Sequence, residues 1–110
     1  MTPVSESRLH ALTLTAAADA LAQGTLTART LADAQLARVA ATDATIEAWA
    51  HLDPAQVRVE ADRRDAAPSA GRGPLHGIGI GVKDIIATAD QPTQMGSPVY
   101  AGHRPQEDAQ

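Results

Sequence analysis

Over the first two thirds of the chain, apolar positions recur at steps of three and four residues between short polar stops, a spacing that predicts helices. Ala17, Ala18 and Leu21 share one face of a first helix, with Thr15 as the expected N-cap and Gly24 as a left-handed exit. A second helix starts at Thr27. On a 3.6-residue repeat Ala32, Leu36, Val39 and Ala40 converge into one stripe, with Leu31 at its margin and Arg29, Asp33, Ala37 and Arg38 mostly outside it. The short connection between the two predicts a helical hairpin. Asp53-Pro54-Ala55-Gln56 opens a third helix: the aspartate caps, the proline fixes the first helical position, and Gln56 stands at the third. Val57, Ala61 and Arg64 share one of its faces, and it should stop before Pro68. Arg63, Arg64 and Asp65 read as a solvated or salt-bridged surface. Met1 to Thr13 carries Leu9 and Leu12 without a firm cap, as an arm that packs against something. Ile46 to Leu52 fits a strand or a helix equally well, and Trp49 within it reads as a core or interface anchor.

The period then changes. Ile78, Ile80 and Val82 alternate, which places three branched side chains on one face of a strand. Gly77, Gly79 and Gly81 leave the opposite face bare, and Lys83 at the strand end points to that same side. A bare face costs backbone entropy and is tolerable only where another backbone, a substrate or a catalytic loop comes close. Ile85 and Ile86 are expected to be buried as the chain turns. Thr88 to Ser97 is polar and punctuated by Pro92 and Gly96, so it reads as a loop or short irregular strands. Gln106 to Gln110 looks like the first turn of a helix, with Glu107 and Asp108 near its positive end. The predicted layout is a helical leader over residues 1–72 followed, over 73–110, by the start of a strand-bearing core. No hairpin partner for the 78–82 strand is evident.

Composition makes the expected core thin. Of 110 residues 24 are alanine, against 20 leucine, isoleucine and valine together and no phenylalanine. Alanine buries little apolar area, so this chain should fold poorly alone or find apolar partners elsewhere. The net charge of -4 and pI near 5.4 provide no electrostatic basis for binding nucleic acid. Without cysteine there is neither a disulfide framework nor a thiol nucleophile. The opening lacks a basic region followed by an apolar run, and no stretch approaches the roughly 20 apolar residues needed to span a bilayer. A cytoplasmic setting without membrane contact is expected by elimination.

The chemistry centres on Lys83, the only lysine in the chain. A nucleotide-binding loop would need glycine before it and serine or threonine after it, where this chain has Val82 and Asp84. His10, His51, His76 and His103 lack metal-ligand spacing, and His76 in Pro-Leu-His-Gly reads as a turn residue bonding to backbone. No metal or other cofactor is expected. A lysine serves as a general base when burial or a neighbouring cation lowers its pKa from about 10.4. A close carboxylate at Asp84 would act the other way, although adjacent side chains of an extended backbone point apart.

The run Gly73-Pro74-Leu75-His76-Gly77-Ile78-Gly79-Ile80-Gly81-Val82-Lys83-Asp84, with Asp90, Pro92-Thr93 and Gly96-Ser97 after it, resembles the amino-terminal segment of the amidase signature family of serine amide hydrolases. The likeness continues through Pro98 to Pro105 and Asp108. One departure is Gly79, where the family usually has proline, so local rigidity is lost. The resemblance implies an α/β fold, represented here by its helical leader and first core strand. It implies that Lys83 is the base of a serine, cis-serine, lysine triad, working through the cis-serine on a nucleophilic serine that attacks the amide carbonyl. Asp84, Thr93, Gly96 and Ser97 match positions that support rather than react. The two catalytic serines and their glycine-rich loop lie downstream in the family. None of Ser5, Ser7, Ser69 and Ser97 sits in a Gly-Gly-Ser-Ser setting, and Ser97 as a substitute nucleophile would lack an oxyanion site. The expectation is the amino-terminal part of an amidase, inactive alone, whose complete form acts on small amides, amidated acids or transfer-RNA-linked glutamyl groups. The competing expectation is a small helical interaction module that binds a partner chain through the stripe around Leu36 and Val39.

Overall fold

The computed structural model, which describes residues 6–110, holds three α-helices among those residues: α1 over Leu14–Gln23, α2 over Ala28–Ile46 and α3 over Pro54–Ala66. Residues 1–5 of the expected amino-terminal arm lie outside the described residues. The rest of that arm forms a 3-10 helix over Glu6–Ala11, and its Leu9 is buried. The chain divides into two units. One takes the chain up to Glu47 and again from Asp53 to Gly79, while the other comprises Ala48–Leu52 and Ile80–Gln110.

Each helix of the first unit begins at a side chain that replaces a missing backbone acceptor. Thr13, two residues before the expected cap, opens α1 by accepting the Ala16 N–H at 3.1 Å. The earlier start puts Leu12 just before the cap and Ala17 at the fourth helical position, the two places where an apolar pair staples a helix entry. Ala17 is buried, and Leu12 packs against the same cluster. Gly24 leaves α1 at φ +76°, with the Thr25 and Leu26 N–H groups both returning to the Ala20 carbonyl. Thr27 caps α2 as expected, and Asp53 with Pro54 opens α3 as expected. The end of α3 at Ala66 also falls before Pro68.

The helical hairpin is a correction. α2 packs chiefly against α3 and the 3-10 helix rather than lying along α1. The reason is the connector: Leu26 is itself buried, so the link folds into the core instead of merely reversing the chain. The inner stripe of α2 is correspondingly shifted toward its amino terminus. Ala28, Leu31, Ala32 and Leu36 are buried, with Leu31 at its centre rather than its margin, whereas Val39 is only half-buried and Ala40 is exposed. The core joins Leu9, Ala17, Leu21, Leu26, Ala28, Leu31, Ala32 and Ala61, with Val57 and Ile78 packed against it.

α2 and α3 are also tied at their surfaces. Asp65 near the end of α3 accepts the Ala28 N–H at 2.7 Å and the Arg29 N–H at 3.0 Å, so its carboxylate caps the first turn of α2. Asp33 accepts Arg29 Nε at 3.1 Å and Arg58 Nε at 3.0 Å, and Arg29 reaches on to Asp62 at 2.8 Å. Hydrogen bonding from Arg58 foremost, with Arg29 adding to it, holds the Asp33 carboxyl below its ordinary 3.8, while desolvation opposes this in part. Hydrogen bonding to Asp33 raises the Arg29 guanidinium further. Arg63 and Arg64 both face Glu60, as expected of a salt-bridged surface.

The expected strand over 78–82 is the second correction: no strand forms among the described residues. A strand exists through its ladder, and here no segment pairs with it. Ile78 turns onto the helical core, whereas Ile80 is 77% exposed. The bare glycine face is nonetheless approached. Gly77 has φ +86°, and a Cβ there would meet Ala28 Cβ at 3.2 Å and Leu21 Cδ1 at 3.4 Å, so a side chain would be both strained and crowded. What comes close is the protein's own side chains, with Gln35 Oε1 against Gly79 and the Trp49 ring against Gly81. Among the described residues, no helix is long and apolar enough to cross a membrane.

Candidate active site

The second unit has one 3-10 turn, Pro98–Tyr100, as its regular element and is otherwise held by hydrogen bonds between non-repeating positions. Lys83 enters a turn, its carbonyl accepting the Ile86 N–H at 3.0 Å, and its side chain is exposed. Ile85 and Ile86, expected to be buried beside it, are instead 57% and 46% exposed. Within its own unit the lysine is therefore not enclosed by the residues that sequence reasoning assigns to the task. The cause is the turn geometry: Lys83 to Ile86 reverses direction at the surface, and successive side chains of such a turn project outward.

Of the other four expected residues, Asp84 and Thr93 bond the backbone around Lys83, while Gly96 and Ser97 shape the turn that follows Thr93. Asp84 Oδ1 accepts the Gln94 N–H at 2.8 Å, and the Asp84 carbonyl accepts the Met95 N–H at 2.8 Å. Thr93 is 1% exposed, the only buried polar residue among those described. Its N–H donates to the His103 carbonyl at 2.8 Å, its hydroxyl donates to the Ile86 carbonyl at 3.3 Å, and the same oxygen accepts the Thr88 N–H at 3.4 Å. Met95 and Gly96 follow at φ +56° and +64°, a left-handed pair that turns the chain. Ser97 Oγ accepts the Val99 N–H at 3.3 Å and so caps the 3-10 turn. Its hydroxyl is used as a structural acceptor.

Two features escape sequence reasoning. Gln94 joins both sides of its loop, donating its N–H to Asp84 and accepting the Gly102 N–H through Oε1 at 2.9 Å. Residues 106–110, expected to begin a helix, instead run back along residues 87–89. The Ala109 N–H donates to the Ala87 carbonyl at 2.8 Å, and Asp108 Oδ1 accepts the Ala89 N–H at 2.8 Å. Asp108 thus binds a loop amide in place of favouring a helix terminus. The signal for that is its place in the resembling motif, because a lone aspartate in a polar tail announces no partner. Trp49, open between strand and helix on the sequence pattern, follows α2 in irregular backbone and is 40% exposed. His76 sits in a turn, with Nε2 2.7 Å from the Arg64 carbonyl, the backbone bond expected of it.

Comparison with known proteins bears on this segment directly. The family model described as Amidase matches residues 30–110. A glutamyl-tRNA(Gln) amidotransferase subunit from Chloroflexus aurantiacus is 48% identical over 101 residues, which cover 90% of this chain and 21% of that protein. Subunits of the same name from Roseiflexus castenholzii and Streptomyces avermitilis are 36% and 35% identical over 102 and 112 residues, covering 92% and 96% of this chain but 21% and 22% of their own lengths. The chain spans about a fifth of the length of the curated relatives it matches.

Proposed function

This chain belongs to the amidase family, and we propose that it supplies the amino-terminal part of an amide hydrolase, carrying the lysine of a serine, cis-serine, lysine triad. The observation that carries the reading is the family match over residues 30–110, which includes Lys83, Asp84, Thr93, Gly96 and Ser97. In the proposed reaction the neutral Lys83 amine takes a proton from the cis-serine hydroxyl as that hydroxyl takes one from the nucleophilic serine. The serine oxygen bonds to the amide carbonyl carbon, the C–N bond breaks, and the amine leaves with a returned proton. Water then releases the carboxylic acid from the acyl-enzyme. Both serines belong to the remaining length of the complete enzyme, so residues 1–110 alone should hydrolyse no amide. The same reading makes the complete fold α/β, with residues 78–82 pairing as a strand once neighbouring strands are present, and makes the setting cytoplasmic. The relatives named above belong to an enzyme named for glutamyl-tRNA(Gln), so an amide made or broken on such a substrate is the leading candidate.

A helical interaction module is the less supported reading. Leu36, the centre of its proposed docking stripe, is already buried within the helical unit.

The test replaces the matching segment of the Chloroflexus aurantiacus relative with residues 1–110 and assays amide hydrolysis. The chimera should be active, and Lys83→Ala should lower kcat/KM by about 100-fold to 10,000-fold, the usual range for removing a general base. Full activity in the Lys83→Ala chimera would sink the assignment.

A further inference from the structure

We propose that Asp84 is the positioning residue of Lys83, acting as a hydrogen-bond acceptor that locks the lysine's backbone against the 93–97 turn; this rests on reading Lys83 as the base. Asp84 grips two consecutive amides from one position, Gln94 through its carboxylate and Met95 through its carbonyl, each at 2.8 Å. The Lys83 carbonyl is closed by Ile86, so the peptide planes on both sides of Asp84 are held. The turn being gripped is itself anchored. Buried Thr93 ties it to Thr88, Ile86 and His103, and Gln94 ties it to Gly102.

Two further observations agree. Met95 is a side-chain-bearing residue at φ +56°, a conformation that costs roughly 1 kcal/mol or more. Such a residue persists where its surroundings over-determine it, and its N–H lies on the Asp84 carbonyl. The Asp84 carboxylate is engaged by a backbone amide. Asp84 is therefore built into the scaffold of Lys83. Accuracy at this point matters, because a base must come within about 3 Å of the hydroxyl it deprotonates, and an error of about 1 Å can cost 100-fold in rate.

The full chain suits a direct test, since its single lysine and single tryptophan each give one signal. Lysine labelled with carbon-13 and nitrogen-15 reports Lys83, hydrogen exchange reports the Gln94 and Met95 amides, and Trp49 fluorescence reports whether the segment remains folded. In Asp84→Ala the two amides should exchange about tenfold faster, and the Lys83 backbone signals should shift and broaden. Asp84→Asn keeps an oxygen that accepts from Gln94 and should restore both readouts. Lys83 signals indifferent to Asp84→Ala would overturn the proposal, as would an Asp84→Asn chain that loses Lys83 order. If Asp84→Ala unfolds the segment, the unsubstituted chain still decides: an unprotected Gln94 amide there overturns the proposal. In the active chimera Asp84→Ala should lower kcat with KM unchanged, and Asp84→Asn should restore it. These readouts separate the two ideas, because loss of the base assignment shows as an active Lys83→Ala chimera, whereas loss of the positioning role shows as Lys83 signals that ignore Asp84.

Discussion

In the helical unit the backbone bonds to itself and side chains join the pieces; around Lys83 the side chains bond the backbone. α1, α2 and α3 satisfy their own peptide groups, so Leu31, Leu21 and Ala61 are left to meet in an apolar cluster, and Asp65 and Asp33 tie α2 to α3. The second unit has no such ladder. Asp84, Thr93, Gln94, Ser97 and Asp108 each accept an amide that no neighbouring strand takes. The apolar residues tell the same story. Ile80, Ile85, Ile86 and Val99 are 77%, 57%, 46% and 86% exposed, whereas the leucines of the helical unit's core are each below a tenth. The contrast teaches that a polar motif can define a local backbone without burying the apolar positions threaded through it.

Substitutions can break or sharpen this contrast. The largest effect should come from Leu31→Ala, which opens a cavity at the centre of the helical cluster and should cost about 3 kcal/mol in a thermal melt followed by helical circular dichroism. Asp65→Ala removes two charge-assisted bonds from the first turn of α2 and should cost about 2 kcal/mol by the same measurement. In the second unit Thr93→Val keeps the shape but strips both hydroxyl bonds. It should cost about 1 kcal/mol, read as faster hydrogen exchange at the Thr88 amide, with little change in helicity. An equally large loss of helicity from Thr93→Val would erase the distinction between the two modes.

The smallest effect concerns acid. The folded Asp33 carboxyl lies below its ordinary 3.8, so its contribution is present above that value and lost as pH falls through the lower folded one. Helix melting temperature should therefore decline as pH drops below about 4, with a shallower slope in Asp33→Asn. The raised Arg29 group has the opposite sign and would matter only in strongly alkaline solution. The pair is half-exposed and screened by salt, so the shift should shrink in high salt.

Legibility follows the range of the forces involved. Thr27, Asp53, Pro54 and Gly24 are readable because a cap acts within four residues of its own helix. Thr13 and Thr15 are less easily told apart, since either hydroxyl could cap and only the packing of Leu12 with Ala17 decides for Thr13. Asp65 reads as surface charge, yet it caps a helix 36 and 37 residues away, a distance no local pattern encodes. Around Lys83 the motif marks Asp84, Thr93, Gly96 and Ser97 as supporting positions, while the partners they support come only from the folded backbone.

The amino-acid sequence by itself determined three helices, most of their ends, the lone lysine within a resembling motif and the family that motif belongs to. Those properties rest on local backbone preferences and on residue identity. Tertiary structure decided which face of α2 is inside, whether residues 78–82 form a ladder and whether Ile85 and Ile86 enclose Lys83. Each of these depends on a second surface coming into contact. An alternating run is only a candidate strand until another backbone accepts its hydrogen bonds, and an apolar side chain is buried only where something covers it.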